Sequence, residues 1–267
     1  MEAIGKTAVA VGAQLSWLTP DPAYRAIPMT MEGVHQKENA QLAAQLVTTW
    51  IRDAPPARTF NQALLDRVDP DTGLPQYVVS SVTRTQWPGR SQIIRDDAHN
   101  LKWFIDGAHT RESIEACCRW YEGCVEQPAG EDHQPRPALV LLFNCTGGRA
   151  GEAMLAQLAQ FFIDRKVLVA HAVFCPNITN RPDSQKPDQQ QLLSLLSDQR
   201  AHERVWRTLV PADSNSSGAV EVVGSIGEAV DWIQNHCNGA HVLVTGSLHL
   251  AGGVLDALDI APFGNTD

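Results

Sequence analysis

Short apolar runs and amphipathic stretches alternate regularly along the chain from Trp87 to its end. Six apolar runs predict strands at about residues 91–95, 102–105, 138–143, 167–174, 220–223 and 241–245. Apolar residues recur at helical spacing in the segments at about 111–126, 150–163, 187–209, 226–238 and 248–258. Mostly apolar strands that alternate with amphipathic helices are typical of a mostly parallel sheet with helices on both faces. We therefore predict an α/β fold for this part of the chain.

The first part of the chain has a different pattern. Residues 36–51 repeat apolar positions every three to four residues, and Leu42, Leu46 and Trp50 lie on the resulting apolar face. The proline pair that follows cannot continue a helix, so we place the end of a first structural unit at residue 56. Residues 57–86 show little regular pattern and are predicted to form a connector with some local structure.

The tripeptide Gly5-Lys6-Thr7 is reminiscent of a phosphate-binding loop but does not satisfy that motif. The upstream glycine that such a loop requires would fall before Met1. The apolar run that follows, Ala8 to Leu18, predicts a strand, whereas the motif requires a helix. Lys6 is therefore interpreted as a solvated turn residue.

Composition narrows the possible partners. The 267 residues carry a formal net charge of −9, which argues against nucleic acid or an anionic membrane as the main partner. No apolar run approaches the length of a membrane span. The six cysteines include no C-x-x-C pair and the nine histidines no H-E-x-x-H motif. A metal held entirely by this chain is therefore not expected.

Three predicted strands end in residues that are suited to ligand binding. They are followed by Asp106-Gly107-Ala108-His109, by residues 144–149 with two glycines and an arginine, and by Thr245-Gly246-Ser247. The carboxyl ends of parallel strands lie at one edge of a sheet, so these polar groups can converge on one ligand. The alternative is structural. Glycines commonly serve turns, and Thr245 or Ser247 could simply cap the last helix.

The motif Asp106-Gly107-Ala108-His109 has two possible interpretations. Asp106 is placed to accept hydrogen bonds from ribose hydroxyls, Gly107 allows close approach of a ligand, and His109 can stack on it or bond to it. Alternatively, Asp106 caps the next helix beside Thr110. Upstream, Arg90 follows a proline-glycine turn and offers a rigid five-donor fork for phosphate oxygens. An ordinary surface arginine in a turn is the alternative there.

Taken together, these motifs resemble the folylpolyglutamate synthases of the Mur ligase superfamily. The resemblance is carried by Trp87-Pro88-Gly89-Arg90, Asp106-Gly107-Ala108-His109-Thr110, the segment from Thr245 to Gly253, and Gly33-x-His35-Gln36-x-x-Asn39-Ala40. The order and spacing agree along essentially the whole chain. The resemblance implies that residues 87–267 are a Rossmann-like C-terminal domain. Residues 1–56 would then be an end-piece of the central ATP-binding domain, joined by the connector.

The resemblance also implies a reaction and a nucleotide site. The family uses ATP and Mg²⁺ to activate the γ-carboxylate of a folate's terminal glutamate as an acyl phosphate, which the amine of free L-glutamate attacks. Arg90 would contact the ATP phosphates, Asp106 the ribose, and His109 would lie beside the nucleotide. Asn39 would lie against the adenine.

Further expectations concern the substrates and the cellular setting. Ser247, with Thr245 in the same loop, would shape the end of the site where folate and glutamate meet. Neither nucleic acid nor a membrane is an expected partner. The full-length form is expected to be a monomer, located in the cytoplasm, the mitochondrion or both.

The chain also departs from the family pattern. The phosphate-binding loop and the magnesium ligands of the central domain should lie upstream of Met1, and nothing in these residues replaces them. The chain is therefore expected to be a fragment or a shortened product that does not catalyse by itself. The alternatives are a nucleotide- or folate-binding module without chemistry, or a nicotinamide-dependent oxidoreductase. The latter is disfavoured because no G-x-G-x-x-G follows the first strand.

Overall fold

A computed structural model describes residues 2–31, 33–53, 67–125, 137–145, 151–179, 194–210 and 219–260. The chain divides into two compact units. Unit 1 comprises Met1–Thr30 with Val34–Thr85, and unit 2 comprises Met31–Gly33 with Gln86–Asp267. Within the described ranges, no helix is both long and apolar enough to cross a membrane.

Unit 1 is helical in its described part, with α1 Glu2–Val11, α2 Pro22–Ala26, α3 Val34–Asp53 and α4 Gln76–Arg84. Its small core consists of Tyr24, Ile27, Ala40, Ala44 and Val78. The predicted apolar face of α3 is not part of this core, because Leu42, Leu46 and Trp50 are 49%, 62% and 42% exposed. Helix α3 thus packs through its alanines and leaves its large apolar side chains on the surface.

One prediction for this unit was wrong, and one helix was not predicted. The strand expected from Ala8 onward is absent from the described residues, and α1 continues through Val11 before the chain leaves regular structure. The alternating alanines and valines suggested a strand, but a helix satisfies its backbone internally and needs no neighbouring strand. Helix α4 lies in the predicted connector and contributes buried Val78 to the core. Its β-branched residues, which have low helix propensity, concealed it. Residues 57–66 of that connector lie outside the described residues.

Unit 2 contains a six-stranded sheet formed by β1 Gln92–Asp96, β2 Leu101–Ile105, β3 Leu139–Phe143, β4 Val169–Phe174, β5 Ala219–Val222 and β6 His241–Thr245. The strand order is β1-β2-β6-β3-β4-β5. Every neighbouring pair is parallel except β1 and β2, which are antiparallel. Only four residues join β1 to β2, and a parallel crossover would need about a dozen. The mostly parallel α/β fold is confirmed.

Helices cover both faces of this sheet. They are α5 Arg111–Val125, α6 Gly151–Asp164, α7 Ser197–Leu209, α8 Ile226–His236 and α9 Leu248–Ala257. Side chains of α5, α6 and α7 pack with Phe104 and Leu243 on one face. Side chains of α8 and α9 pack with Ile105 and Val244 on the other. Successive strand residues therefore enter opposite cores, which explains why β3 is apolar throughout and why the three middle residues of β6 are apolar.

The strand register places the candidate motifs at one end of the sheet. Ile105 of β2 and Leu142 of β3 both pair with Val244 of β6, which lies between these strands. Asp106, Asn144 and Thr245 consequently come together where the three strands finish. We call this end of the sheet the carboxyl edge and the opposite end the amino edge. Residues 146–149 of the glycine-rich motif after β3 lie outside the described residues.

Candidate functional site

The carboxyl edge begins with a tight turn immediately before β1. The backbone N–H of Arg90 donates to the carbonyl of Trp87 at 3.1 Å, and Gly89 has a φ of +74°, which glycine adopts readily. The N–H of Gly107 donates to the carbonyl of Gly89 at 2.8 Å. The proline-glycine turn is therefore held against the end of β2, so the two motifs singled out in the sequence are adjacent in space.

Asp106 connects this turn to the sheet by its side chain. Asp106 is only 4% exposed. Its Oδ2 accepts from the Ser91 N–H at 2.8 Å and from the Ser91 hydroxyl at 3.4 Å. Oδ1 lies 3.7 Å from Nη1 of Arg90. Buried carboxylates are costly unless they are paired and hydrogen-bonded, and here the turn supplies both kinds of partner.

The N-terminus of α5 has its own cap. Thr110 Oγ1 accepts from the backbone N–H of Ser113 at 3.2 Å, and Ser113 Oγ in turn accepts from the backbone N–H groups of Thr110 and His109. The alternative role for Asp106 as the helix cap is therefore not needed, because Thr110 fills it.

His109 lies at the mouth of this site and is partly exposed. Its Nδ1 is 3.0 Å from the carbonyl oxygen of Gly107. A carbonyl can only accept, so Nδ1 carries a proton and Nε2 points away from this contact. The ring is thus fixed in orientation, with one nitrogen available for a ligand donor.

Two glycines at this edge allow close packing. A Cβ on Gly107 would lie 2.9 Å from the Cα of Leu248 and closer still to its side chain. Gly246 has a φ of +100°, and a Cβ there would lie 2.4 Å from the carbonyl oxygen of Asn144. Gly107 therefore permits contact between the end of β2 and the start of α9, and the close approach of a ligand to it stays a prediction.

Ser247 and Thr245 both lie beneath the surface of the carboxyl edge. Ser247 is 1% exposed, and its Oγ accepts from the N–H groups of His249 and Leu250 at 3.2 and 3.4 Å. It is therefore the N-cap of α9, as the structural alternative proposed. Thr245 is fully buried beside the thiol of Cys117. Neither hydroxyl reaches the surface, so their predicted contact with substrate stays a prediction.

Cys117 of α5 is another buried group close to Asp106. Burial raises the pKa of its thiol well above the ordinary value, and the neighbouring Asp106 carboxylate raises that pKa further. The thiol is therefore protonated and unreactive at neutral pH.

A second polar cluster at this edge was missed from the sequence. Gln199 of α7 donates to Asn144 Oδ1 at 3.0 Å, and both residues are at most 1% exposed. His202, one helical turn later, packs edge-on against Phe143 at 5.4 Å. Burial lowers the pKa of His202, so its ring is neutral at neutral pH. The polar residues on an otherwise apolar helix face were the only sequence signal for this cluster.

Asn39 is the one candidate that lies in unit 1. It is exposed on α3, and its Nδ2 donates to Oε1 of Gln36 at 3.3 Å. The predicted contact between Asn39 and an adenine ring stays a prediction.

The side chains at this edge suit a nucleotide better than a metal ion. A guanidinium donates hydrogen bonds to phosphate oxygens. The carboxylate of Asp106 and Nε2 of His109 can accept hydrogen bonds from ribose hydroxyls or from N–H groups of a base. In the part of the chain that the structure describes, no group of three or more His, Cys, Asp or Glu could hold a metal ion. The described residues therefore do not fit an Mg²⁺ site of their own.

Comparison with known proteins gives sequence relatives but no family model that matches. The chain is 30% identical to the mitochondrial folylpolyglutamate synthases of Cricetulus griseus over 302 residues and of Homo sapiens over 305. These alignments cover 87% and 88% of this chain and 50% of each relative. A probable folylpolyglutamate synthase of Schizosaccharomyces pombe is also 30% identical, over 92% of this chain and 46% of its own length. The chain spans about half the length of the curated relatives it matches.

The fold also has solved counterparts. A structure of Mycobacterium tuberculosis folylpolyglutamate synthase complexed with ADP and AMPPCP superposes with a TM-score of 0.54. It is 18% identical and covers 89% of this chain and 43% of that protein. At this identity the likeness shows the fold alone. The sequence relatives confirm the resemblance that the motifs predicted.

Proposed function

We propose that this chain is the C-terminal portion of a folylpolyglutamate synthase and that its carboxyl edge binds ATP. The complete reaction would join L-glutamate to the γ-carboxylate of a folyl-glutamate at the expense of ATP. The observation that carries the proposal is the contact between Arg90 and Asp106 at the sheet edge, in a chain that is 30% identical to folylpolyglutamate synthases of several organisms.

In the proposed reaction, an oxygen of the folate γ-carboxylate attacks the terminal phosphorus of ATP. The bond to the bridging oxygen breaks, giving an acyl phosphate and ADP. The glutamate amine then attacks the acyl carbon, the new amide forms, and inorganic phosphate leaves with the bonding electron pair. The amine proton passes to solvent or base. Mg²⁺, when bound, would neutralise part of the phosphate charge; the described residues supply no ligand cluster for it.

The residues of this chain would act on the nucleotide. Arg90 is 27% exposed, so its guanidinium can stay paired with Asp106 and still offer N–H donors to phosphate oxygens. Asp106 accepts from Ser91 at Oδ2 and lies beside Arg90 at Oδ1, and we propose that its carboxylate also accepts a hydrogen bond from a ribose hydroxyl. His109 would place Nε2 beside the nucleotide. Negative charge shifts among the phosphate oxygens during transfer, so the contact of Arg90 should strengthen in the transition state.

Thr245 and Ser247 are further residues of the proposed site. Because Ser247 caps α9 and Thr245 is buried, we propose that they shape the region for folate and glutamate by fixing the loop. Asn39 would meet the adenine. We also propose that residues 1–56 are the end-piece of the central ATP-binding domain, that residues 57–86 connect it to the domain at 87–267, and that the full-length enzyme is monomeric. The compartment would be the cytoplasm, the mitochondrion or both.

Nucleotide binding can be tested on the purified 267-residue chain. We expect ADP to bind in isothermal titration calorimetry. Arg90→Ala should weaken binding by roughly ten- to a hundredfold, since a hydrogen bond with one ionised partner contributes about 1.5–3 kcal/mol. Arg207→Ala, which removes an exposed arginine paired with Glu203, is the matched control. Absence of ADP binding, or equal effects of the two substitutions, would contradict the proposed site.

Catalysis by the chain alone is a separate question. The 267 residues contain no complete phosphate-loop motif, so we expect no ATP- and folate-dependent incorporation of labelled glutamate. Clear turnover by the pure chain would show that residues beyond these are not essential. A chain that binds ADP and shows no turnover even when combined with the remaining half of a related synthase would instead favour a non-catalytic nucleotide-binding module.

A further inference from the structure

We infer that Asp106 is a positioning residue for Arg90, and that Ser91 fixes the carboxylate in the orientation this requires. The inference rests on the proposed function, because it concerns how Arg90 meets the phosphates of a nucleotide. It adds a role for Asp106 that is independent of any contact with ribose, and it names Ser91 as part of the site.

The two carboxylate oxygens of Asp106 have different partners. Oδ2 accepts from the Ser91 N–H at 2.8 Å and from its hydroxyl at 3.4 Å, while Oδ1 lies 3.7 Å from Nη1 of Arg90. The Asp106 side chain is 5% exposed, and that of Arg90 is 27% exposed. A guanidinium has five N–H donors in a fixed plane. Holding one end of that plane against a buried carboxylate therefore directs the remaining donors.

Ser91 has a backbone conformation that residues other than glycine rarely adopt. Its φ is +44°, and it is 2% exposed. The surrounding turn is fixed on both sides, because Gly107 N–H donates to Gly89 O at 2.8 Å and Gly89 N–H donates to Gln92 Oε1 at 2.9 Å. Non-glycine residues persist in this region only where the neighbouring structure enforces it. The turn thus holds Arg90 in place before a ligand arrives.

Positioning reduces the entropy that a long side chain loses on binding. It also makes a distinctive prediction. A ribose contact by Asp106 would affect adenosine and ADP equally. An effect transmitted through Arg90 would appear only with ligands that carry phosphates, and only while Arg90 is present.

A double-mutant cycle on the full chain separates these roles. Adenosine and ADP would be titrated calorimetrically into the wild type, Arg90→Ala, Asp106→Asn and the double variant. We expect Asp106→Asn to weaken ADP binding by roughly tenfold more than it weakens adenosine binding. In the Arg90→Ala background this excess should disappear. Equal losses for both ligands, or additive losses for ADP, would overturn the inference while leaving nucleotide binding itself intact.

Ser91 provides the second arm of the test. Ser91→Gly keeps the N–H that Asp106 Oδ2 accepts from, adopts the positive φ readily and loses only the longer hydroxyl contact, so it should weaken ADP binding less than Ser91→Val does. Ser91→Val puts a β-branched residue there, and ADP binding should weaken about as much as in Asp106→Asn and not additively with it. Thermal melting identifies any variant that fails to fold, and Asp96→Asn serves as a control carboxylate at the other edge. Wild-type ADP affinity in a folded Ser91→Val protein would overturn the role of Ser91. If the wild type binds no ADP, both this inference and the proposed function fail.

Discussion

The antiparallel pair of β1 and β2 has an aspartate at each end, and each aspartate holds a neighbouring turn. At the amino edge, Asp96 Oδ1 accepts from the backbone N–H of His99 at 3.2 Å and lies 2.9 Å from its Nδ1, while Oδ2 accepts from Gln234 at 2.9 Å. At the carboxyl edge, Asp106 accepts a hydrogen bond from the backbone N–H of Ser91 and lies 3.7 Å from the guanidinium of Arg90. The two carboxylates therefore look similar when only hydrogen bonds are counted.

The difference between them lies in what surrounds each carboxylate. Although partial burial opposes ionisation, the hydrogen bonds from Gln234 and His99 lower the pKa of Asp96, which is what a purely structural turn requires. Asp106 is more deeply buried and is joined to a partly exposed guanidinium and a serine at positive φ. Features that cost stability and leave a cation facing outward point to ligand binding. A buried carboxylate alone does not.

The largest expected effect comes from breaking the packing of the carboxyl edge. Gly107→Val would bring side-chain atoms against the backbone of Leu248 and should lower the free energy of unfolding by about 3 kcal/mol. ADP binding should be lost with it. Urea denaturation followed by circular dichroism measures the change.

Gly252→Ala in α9 is the matched control, because a Cβ there meets nothing within 4 Å. It should raise the free energy of unfolding by up to about 1 kcal/mol, since alanine is the better helix former. A Gly107→Val protein as stable as the wild type would mean that the contact between β2 and α9 can be rearranged at little cost.

A smaller effect is expected from removing the carboxylate at the amino edge. Asp96→Ala deletes the acceptor for His99 and Gln234 and should cost about 2 kcal/mol of stability. ADP affinity should be unchanged, because this end of the sheet has no proposed ligand. Calorimetric titration at a temperature where the variant is folded checks this, and a tenfold loss of ADP affinity would remove the distinction between the two edges.

The pH dependence of stability should also originate partly at the amino edge. Burial, with a contribution from Lys102, lowers the pKa of His241 from 6.5 to about 4. The folded state therefore favours the neutral form of His241. Its contribution to the free energy of unfolding is fully present above pH 6.5 and is lost as the pH falls towards 4. Because the ring is only partly buried, we expect a loss of about 1–2 kcal/mol across that window.

His241→Phe should reduce this slope, since a phenyl ring fits the cluster with Phe104 and Tyr121, whose ring centroids lie 5.0 and 6.4 Å from that of His241. Buried His202 and partly buried His171, whose pKa values burial also lowers, would account for the remainder. An unchanged slope between pH 6.5 and 4 in stability curves of the variant would show that His241 does not contribute.

Much of the sheet could be predicted from the sequence. Every strand bound lies within two residues of its prediction, because each strand contains an apolar stretch between polar turns. The meeting of Asp106, Asn144 and Thr245 at one edge of the sheet also followed from the rule for parallel sheets. Helix α4 was missed because its sequence, rich in β-branched residues, does not favour a helix, and burial of Val78 overrides that preference.

The details of the site were less accessible. The contact between Ser91 and Asp106 joins residues fifteen positions apart through the fold of β1 on β2, and no local pattern reveals it. The packing of Gly107 against Leu248 was not predicted, because the position of Leu248 cannot be inferred from sequence spacing. The capping role of Ser247 was foreseen as an alternative, since a serine before a helix is a common cap.

The most direct test of the central claim compares the two edges in one experiment. The ¹⁵N-labelled chain is titrated with ADP while backbone amide resonances are followed at both ends of the β1–β2 pair. We predict that the amides of Ser91, Gly107 and His109 shift as ADP saturates the site, that those of His99 and Asn100 do not, and that Arg90→Ala abolishes the shifts. Equal shifts at both edges, shifts confined to the amino edge, or none at saturating ADP would contradict a nucleotide site at the carboxyl edge.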